Sequence, residues 1–348
     1  MSTTIEKIPF GNLTDNREVS LFRFTNESGA LAEVTNYGGR LVRILVPGKN
    51  DDLVSVIKGY DNLEGFLLDG GNYLGATCGR FANRIAKAKF VAGGEDFNLA
   101  ANNGDNSLHG GIDGFHVQLW DAWIEGDAVI MEYVAKDGEE GFPGELSVEV
   151  MFTWSETCEL SMLVTANTTK PTPVNITNHA YFNLNGEGDI LGHEMRINGN
   201  RYIPILADAI PTGEIRLVNG TAFDFTSAKA IGKDIESGEE QLLNGNGYDH
   251  CFVLNKDEFG DLVLAADVFA PQSGVGLRVY TTMPGVQLYS GNYLTSVVPG
   301  LEGKLYSKRQ AFCLEPEFFP DSPNQSGFPD CILKPEDTFQ ETMIFQFY

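Results

Sequence analysis

The sequence predicts an all-β protein built as a large antiparallel β-sandwich, and three observations carry that prediction. Apolar residues recur at every second position in short runs, clusters of Gly, Asn, Asp and Pro separate the runs, and no stretch holds a 3.6-residue apolar period over a dozen residues. Many closely spaced strands without intervening helices favour stacked antiparallel sheets over parallel βαβ units.

Taken in chain order, strands are expected at 41–46 and 128–134, then as a hairpin. In the hairpin, Leu146, Val148, Val150, Phe152 and Trp154 alternate with mostly polar residues, a short polar turn follows at 155–157, and Leu160, Met162, Val164 and Ala166 repeat the period. Further strands are expected at 262–269, 275–282 and 339–348. One helical turn fits residues 62–68, and 301–310 is ambiguous. Trp120, Trp123 and Trp154 fit alternating strand faces, in the core or on the sheet surface. The strand pattern is expected to run from about Ala32 to the C-terminus with no linker, low-complexity tract or fixed repeat, so residues 1–348 read as a single domain.

Twenty-four Lys and Arg against 48 Asp and Glu leave a formal charge of −24, which repels phosphate backbones and anionic lipid headgroups. No nucleic acid and no membrane partner is expected. The acidic residues are scattered, with Asp51–Asp52 and Glu239–Glu240 the longest pairs, as on a solvated surface rather than an interaction tail. The cysteines at 78, 158, 251, 313 and 331 are odd in number and lack a Cys-x-x-Cys spacing, so they read as reduced structural thiols. The first ten residues carry Glu6 and Lys7 without a long apolar stretch, and no 18-residue apolar run occurs, so the cytoplasm is the expected location.

No phosphate loop, dinucleotide fingerprint, His-Glu-x-x-His helix or Gly-x-Ser-x-Gly elbow is present, which leaves organic acid/base chemistry or plain binding. His179 stands among Asn178, Tyr181, Phe182 and Asn183, a mixture of aromatic faces and amides suited to a sugar's ring and hydroxyls; the competing reading is a hydrogen-bonded core histidine. His109 lies in a Gly- and Asn-rich loop that could hold a ligand or serve the turn alone. Arg80 and Arg84 could bind hydroxyls or pair with carboxylates. Glu315 and Glu317 sit among apolar residues, where a carboxylate needs a partner or a function. In an extended segment they would share a face roughly 6.5 Å apart, a spacing compatible with the carboxylate pair of a glycosidase. Asp249 and His250 read as a turn cap or a site pair, and His116 and His193 have no comparable surroundings.

Several motifs in order resemble the galactose mutarotase, or aldose 1-epimerase, family. They are NYGG at 36–39, GRFANRI at 79–85, NSLHGG at 106–111, TNHAYFNL at 177–184, IPTGE at 210–214, YDH at 248–250, GVQLYSGN at 285–292, and CLE at 313–315 followed by PD at 320–321. The resemblance implies a galactose mutarotase-like supersandwich whose pocket opens on one sheet. It also implies an isomerase that interconverts the α and β anomers of free aldohexoses such as galactose and glucose, with Glu315 as general base and His179 as general acid. Asn83, Arg84, His109, Asp249 and Gln287 match the sugar-contacting positions. Neither cofactor nor metal is expected, because anomer exchange changes no oxidation state. A small-molecule aldose is the expected partner of a monomer or weak homodimer. After Glu315 the family usually shows Thr and Gln, whereas this chain has Pro316 and Glu317, a second carboxylate that would raise the pKa of Glu315 if it faced the same pocket. The rival readings are a hexose-6-phosphate 1-epimerase, which would need clustered cations, a non-catalytic carbohydrate-binding protein, and a glycosidase.

Overall fold

The computed structural model describes residues 3–50, 52–68 and 70–348; Met1, Ser2 and the Asp51 half of the Asp51–Asp52 pair lie outside them. Alternating apolar side chains need a partner surface, and the protein supplies it by pairing strands into large antiparallel sheets. Nine strands form the broadest sheet, in the order Asp121–Glu125, Ala128–Ala135, Leu146–Trp154, Glu159–Thr168, Phe339–Phe347, Gly276–Thr281, Val263–Phe269, Glu194–Ile197 and Lys229–Ala230. The expected hairpin pairs Val150 with Val164 and Phe152 with Met162, and the C-terminal strand joins it through Leu160 and Phe345.

A five-stranded sheet at the N-terminus runs from Thr4–Asn12 through Glu18–Thr25, Leu31–Thr35 and Arg40–Pro47 to Leu53–Ser55. A second five-stranded sheet has the order Arg216–Leu217, Arg201–Tyr202, Asp249–Val253, Gly285–Tyr289 and Cys313–Glu317. Phe152, Leu160 and Phe345 from the broad sheet share one core with Phe252, Val286, Leu288 and Leu314 from this smaller sheet and with Phe22 and Phe24 from the N-terminal one. Each such buried side chain contributes roughly 1.5–3 kcal/mol of transfer free energy, so the sandwich is held mainly by its interior.

The strands begin well before Ala32. Thr4–Asn12 has no buried residue on either face, while Glu18–Thr25 is buried along most of its length, so neither shows the half-buried alternation that marks a strand in sequence. The helical turn exists as Leu63–Leu68, and the ambiguous stretch supplies only the 3₁₀ turn Leu301–Gly303. Trp120 and Trp154 are buried, Trp123 stands on the edge strand and is 37% exposed, and all five cysteines are buried and free. No helix among the described residues is long and apolar enough to cross a membrane.

Candidate active site

Strand alternation builds the floor of a polar cavity. In Asp249–Val253, Gly285–Tyr289 and Cys313–Glu317, Asp249 pairs with Tyr289 and Tyr289 with Cys313, while Gln287 lies between Cys251 and Glu315. The odd-numbered side chains share one face, on which Asp249, Tyr289 and Glu315 line a cavity of about 420 Å³. The even-numbered Phe252, Val286, Leu288 and Leu314 enter the core. One apolar face therefore fixes which polar residues meet the cavity.

His179 reaches the cavity from the short strand Thr177–Asn178, which pairs with Thr77–Cys78. Its backbone N–H donates to the Ala76 carbonyl at 2.8 Å and its carbonyl accepts from the Gly75 N–H at 2.9 Å. The ring stacks on Tyr181 at 5.0 Å between centroids and lies 6.1 Å from Tyr73. Its Nε2 stands 3.6 Å from Glu315 Oε2, and its Nδ1 stands 3.4 Å from Cys313 Sγ.

Burial dominates the electrostatics of this pair. Desolvation pulls the His179 imidazole down to about 4, and desolvation followed by the charge of Asp249 pushes the Glu315 carboxyl well above 4.5. The uncharged pair of imidazole and carboxylic acid is thus favoured over imidazolium and carboxylate. Both hold the same number of protons, so one proton passed across the 3.6 Å gap interconverts them.

Asn83, Arg84 and His109 also line the cavity. The Asn83 N–H donates to His109 Nδ1 at 3.1 Å, and the His109 N–H returns a bond to the Asn83 carbonyl at 3.0 Å. Burial holds His109 well below 6.5, so its single ring proton sits on Nε2, away from the backbone donor. Arg84 donates from Nε to Asn103 Oδ1 at 3.0 Å and approaches Asp249 to 4.0 Å. The loop depends on Gly110, whose φ is +86° and whose added Cβ would stand 2.0 Å from the Gly79 carbonyl oxygen. Gly110→Ala should therefore lower stability by about 1–3 kcal/mol or more, read as a fall in the thermal unfolding midpoint; an unchanged midpoint would show that this close approach is dispensable.

Several expected site residues lie elsewhere. Gln287 is not in the cavity lining: it donates to Asp249 Oδ1 at 2.7 Å from behind. Glu317 is fully buried and accepts from Asn83 Nδ2 at 3.1 Å, again outside the lining, so the two glutamates do not flank one cavity. Asp249 is no turn cap but the first residue of a strand, and His250, on the opposite face, packs against Phe223 at 4.5 Å. Of the residues around His179 only Tyr181 lines the cavity. Asn178 Nδ2 bonds the Gly75 carbonyl, Asn183 Nδ2 bonds three backbone carbonyls, and Phe182 belongs to the core. Arg80 serves the carbonyls of Pro143 and Gly144. His193 Nε2 accepts from the Leu184 N–H, and His116 packs on Tyr73 at 4.6 Å. Sequence reasoning missed Tyr73, which touches His109 at 4.7 Å, together with Tyr289, Asp208 and Asn244 on the wall. The glycines around Tyr73 were its available signal, since its φ is +56°.

His109, His179 and Glu315 bring ligand-type atoms within 4.8 Å of one another. Their surroundings do not suit a metal ion. A ligating histidine normally donates its second N–H outward, whereas His109 Nδ1 accepts a backbone N–H and leaves the proton on the nitrogen that would have to ligate. What the cluster does offer is two imidazoles and a carboxylate able to exchange protons with one small polar molecule.

Comparison with known proteins identifies the family. The sequence pattern of the family described as aldose 1-epimerase matches residues 20–346. The galactose mutarotase of Bos taurus is 41% identical over 317 residues, 90% of each chain, and the aldose 1-epimerase of Escherichia coli (strain K12) is 35% identical over 337 residues, 96% of each. The crystal structure of galactose 1-epimerase from Lactobacillus acidophilus NCFM superposes with a TM-score of 0.86 at 27% identity, covering 100% of this chain and 99% of that one. Matching pattern, relatives and fold together make this chain a member of the aldose 1-epimerase family.

Proposed function

We propose that this chain is an aldose 1-epimerase that interconverts the α and β anomers of free aldohexoses such as galactose and glucose, with Glu315 as base and His179 as acid. The observation that carries the reading is the 3.6 Å approach of a buried imidazole to a buried carboxylate in the wall of a polar cavity. Ionised Glu315 takes the proton of the anomeric hydroxyl while imidazolium His179 gives its Nε2 proton to the ring oxygen. The bond from the anomeric carbon to the ring oxygen breaks and leaves an open-chain aldehyde. Rotation of the aldehyde presents its other face, and reclosure with both transfers reversed gives the opposite anomer. Ring opening turns the ion pair into the uncharged pair that burial prefers, which offsets the cost of forming the ion pair, and reclosure turns it back.

Arg84, Asn83, His109 and Asp249 hold hydroxyls, and Gln287 acts through Asp249 by holding its carboxylate in place. The cavity is lined by three acidic side chains, Asp208, Asp249 and Glu315, and one guanidinium, Arg84, so it offers a phosphate no cluster of cations and suits a neutral aldose. Residues 1–348 work as one domain, a reading supported by a core cluster that reaches from Phe22 to Phe347. The expected setting is the cytoplasm, and the expected state is a monomer or weak homodimer.

Polarimetry of freshly dissolved α-D-galactose and α-D-glucose tests the activity. Catalytic equilibration is expected with the free sugars and not with their 6-phosphates, and a rate no faster than the spontaneous one with every aldose would reject the reading. Asp249→Asn should raise KM about tenfold or more, because a charge-assisted hydrogen bond to a hydroxyl is worth roughly 1.5–3 kcal/mol. Unchanged KM would remove Asp249 from the binding set.

A further inference from the structure

We propose that Cys313 is a positioning residue for His179: its sulfur accepts a hydrogen bond from the Nδ1–H of the imidazole, so that Nε2 is the nitrogen that trades protons with the sugar. The inference deepens the reading of His179 as the acid and rests on it.

The geometry starts from the strand Cys313–Glu317, which sends Cys313 and Glu315 to one face. Residues two apart on that face meet the two nitrogens of one ring: Cys313 Sγ lies 3.4 Å from Nδ1 and Glu315 Oε2 lies 3.6 Å from Nε2. Cys313 is fully buried, so no water competes for Nδ1 there. Glu315 Oε2 has no hydrogen-bond partner, and a bare Nε2 is the acceptor that a protonated carboxyl at this place requires. With Nε2 bare, the neutral ring carries its hydrogen on Nδ1, and the sulfur is the atom beside it. The same arrangement serves the imidazolium, whose Nδ1–H keeps donating to sulfur while the Nε2 proton is given to the ring oxygen.

A thiol suits this place because it is a weak acceptor. Burial keeps the Cys313 thiol well above 9.0 and therefore uncharged. A carboxylate beside Nδ1 would hold the imidazolium charged and make it a weaker acid. Sulfur fixes the ring's orientation without that cost to acid strength.

Nitrogen-15 NMR of His179 at neutral pH, with Cys313→Ala and Cys313→Ser beside the unmodified protein, tests the inference. The unmodified protein and Cys313→Ser should show the neutral Nδ1–H form, and Cys313→Ala should lose its dominance. In polarimetry Cys313→Ala should lose about tenfold in kcat with KM within about twofold, and Cys313→Ser should recover most of the loss. A neutral Nε2–H form in the unmodified protein would overturn the proposal, even if the variants fail to fold. So would Cys313→Ala at full kcat, a loss that falls on KM, or a serine variant as slow as the alanine one. The tautomer is read without turnover, so a failure of His179 as the acid, seen as near-native rates in His179→Asn, is distinguishable from a failure of Cys313 as its support.

Discussion

Glu315→Gln should cut kcat for anomer interconversion by about 10²–10⁴-fold while leaving the protein folded, because it removes one positioned proton acceptor and keeps the side chain's shape. Stability should hold or rise. The carboxyl is fully buried with one oxygen unpartnered, so an uncharged amide removes a group whose ionisation the site opposes. Polarimetric rates and the thermal midpoint, measured on one preparation, decide the matter: a rate near native would dismiss Glu315 as the base, and a rate lost together with the fold would leave the loss to be read from Glu315→Asp.

The pH profile carries the same signature. The pair works while it holds one exchangeable proton, as carboxylate and imidazolium or as their uncharged counterparts. Falling pH adds a second proton as it passes the His179 value of about 4, and activity is lost there. Rising pH removes the shared proton as it passes the raised Glu315 value, and activity is lost again. Asp249 contributes to that rise through its charge, so Asp249→Asn should move the alkaline limb to lower pH.

How much of this was legible in the sequence depended on which faces each strand buries. The hairpin Leu146–Trp154 and Glu159–Thr168 has one buried face, so its period of two survives in the residue order and both strands could be read nearly to their ends. Thr4–Asn12 and Glu18–Thr25 escaped because one lacks buried residues and the other is buried on both faces. Within the site, ordered motifs carried His179, Glu315, Asn83, Arg84, His109 and Asp249, and all six line one cavity. Alternation explains the misplaced residues. In a strand Asp249 and His250 must point opposite ways, whereas a motif quotes them together. Gln287 shares the site face yet lies behind Asp249, a depth that no linear pattern encodes. Tyr73 and Cys313 meet His179 through contacts that join positions more than a hundred residues apart.

His179→Asn should be as damaging as the loss of the base, about 10²–10⁴-fold in kcat with little change in KM, since the ring oxygen cannot leave as an unprotonated alkoxide without a donor at hand. The backbone around position 179 is pinned by hydrogen bonds at Ala76 and Gly75 that do not involve the ring, so the variant should fold. It should also lose the acid limb near pH 4, because the group that titrates there is gone. An acid limb retained at the same place would assign it to another residue and reject His179 as the acid. The double variant Glu315→Gln with His179→Asn separates a relay from two independent helpers. If base and acid act in one concerted exchange, either single change already stops it, and the pair should be scarcely slower than the slower single variant; if the effects multiply, the two groups work in separate steps.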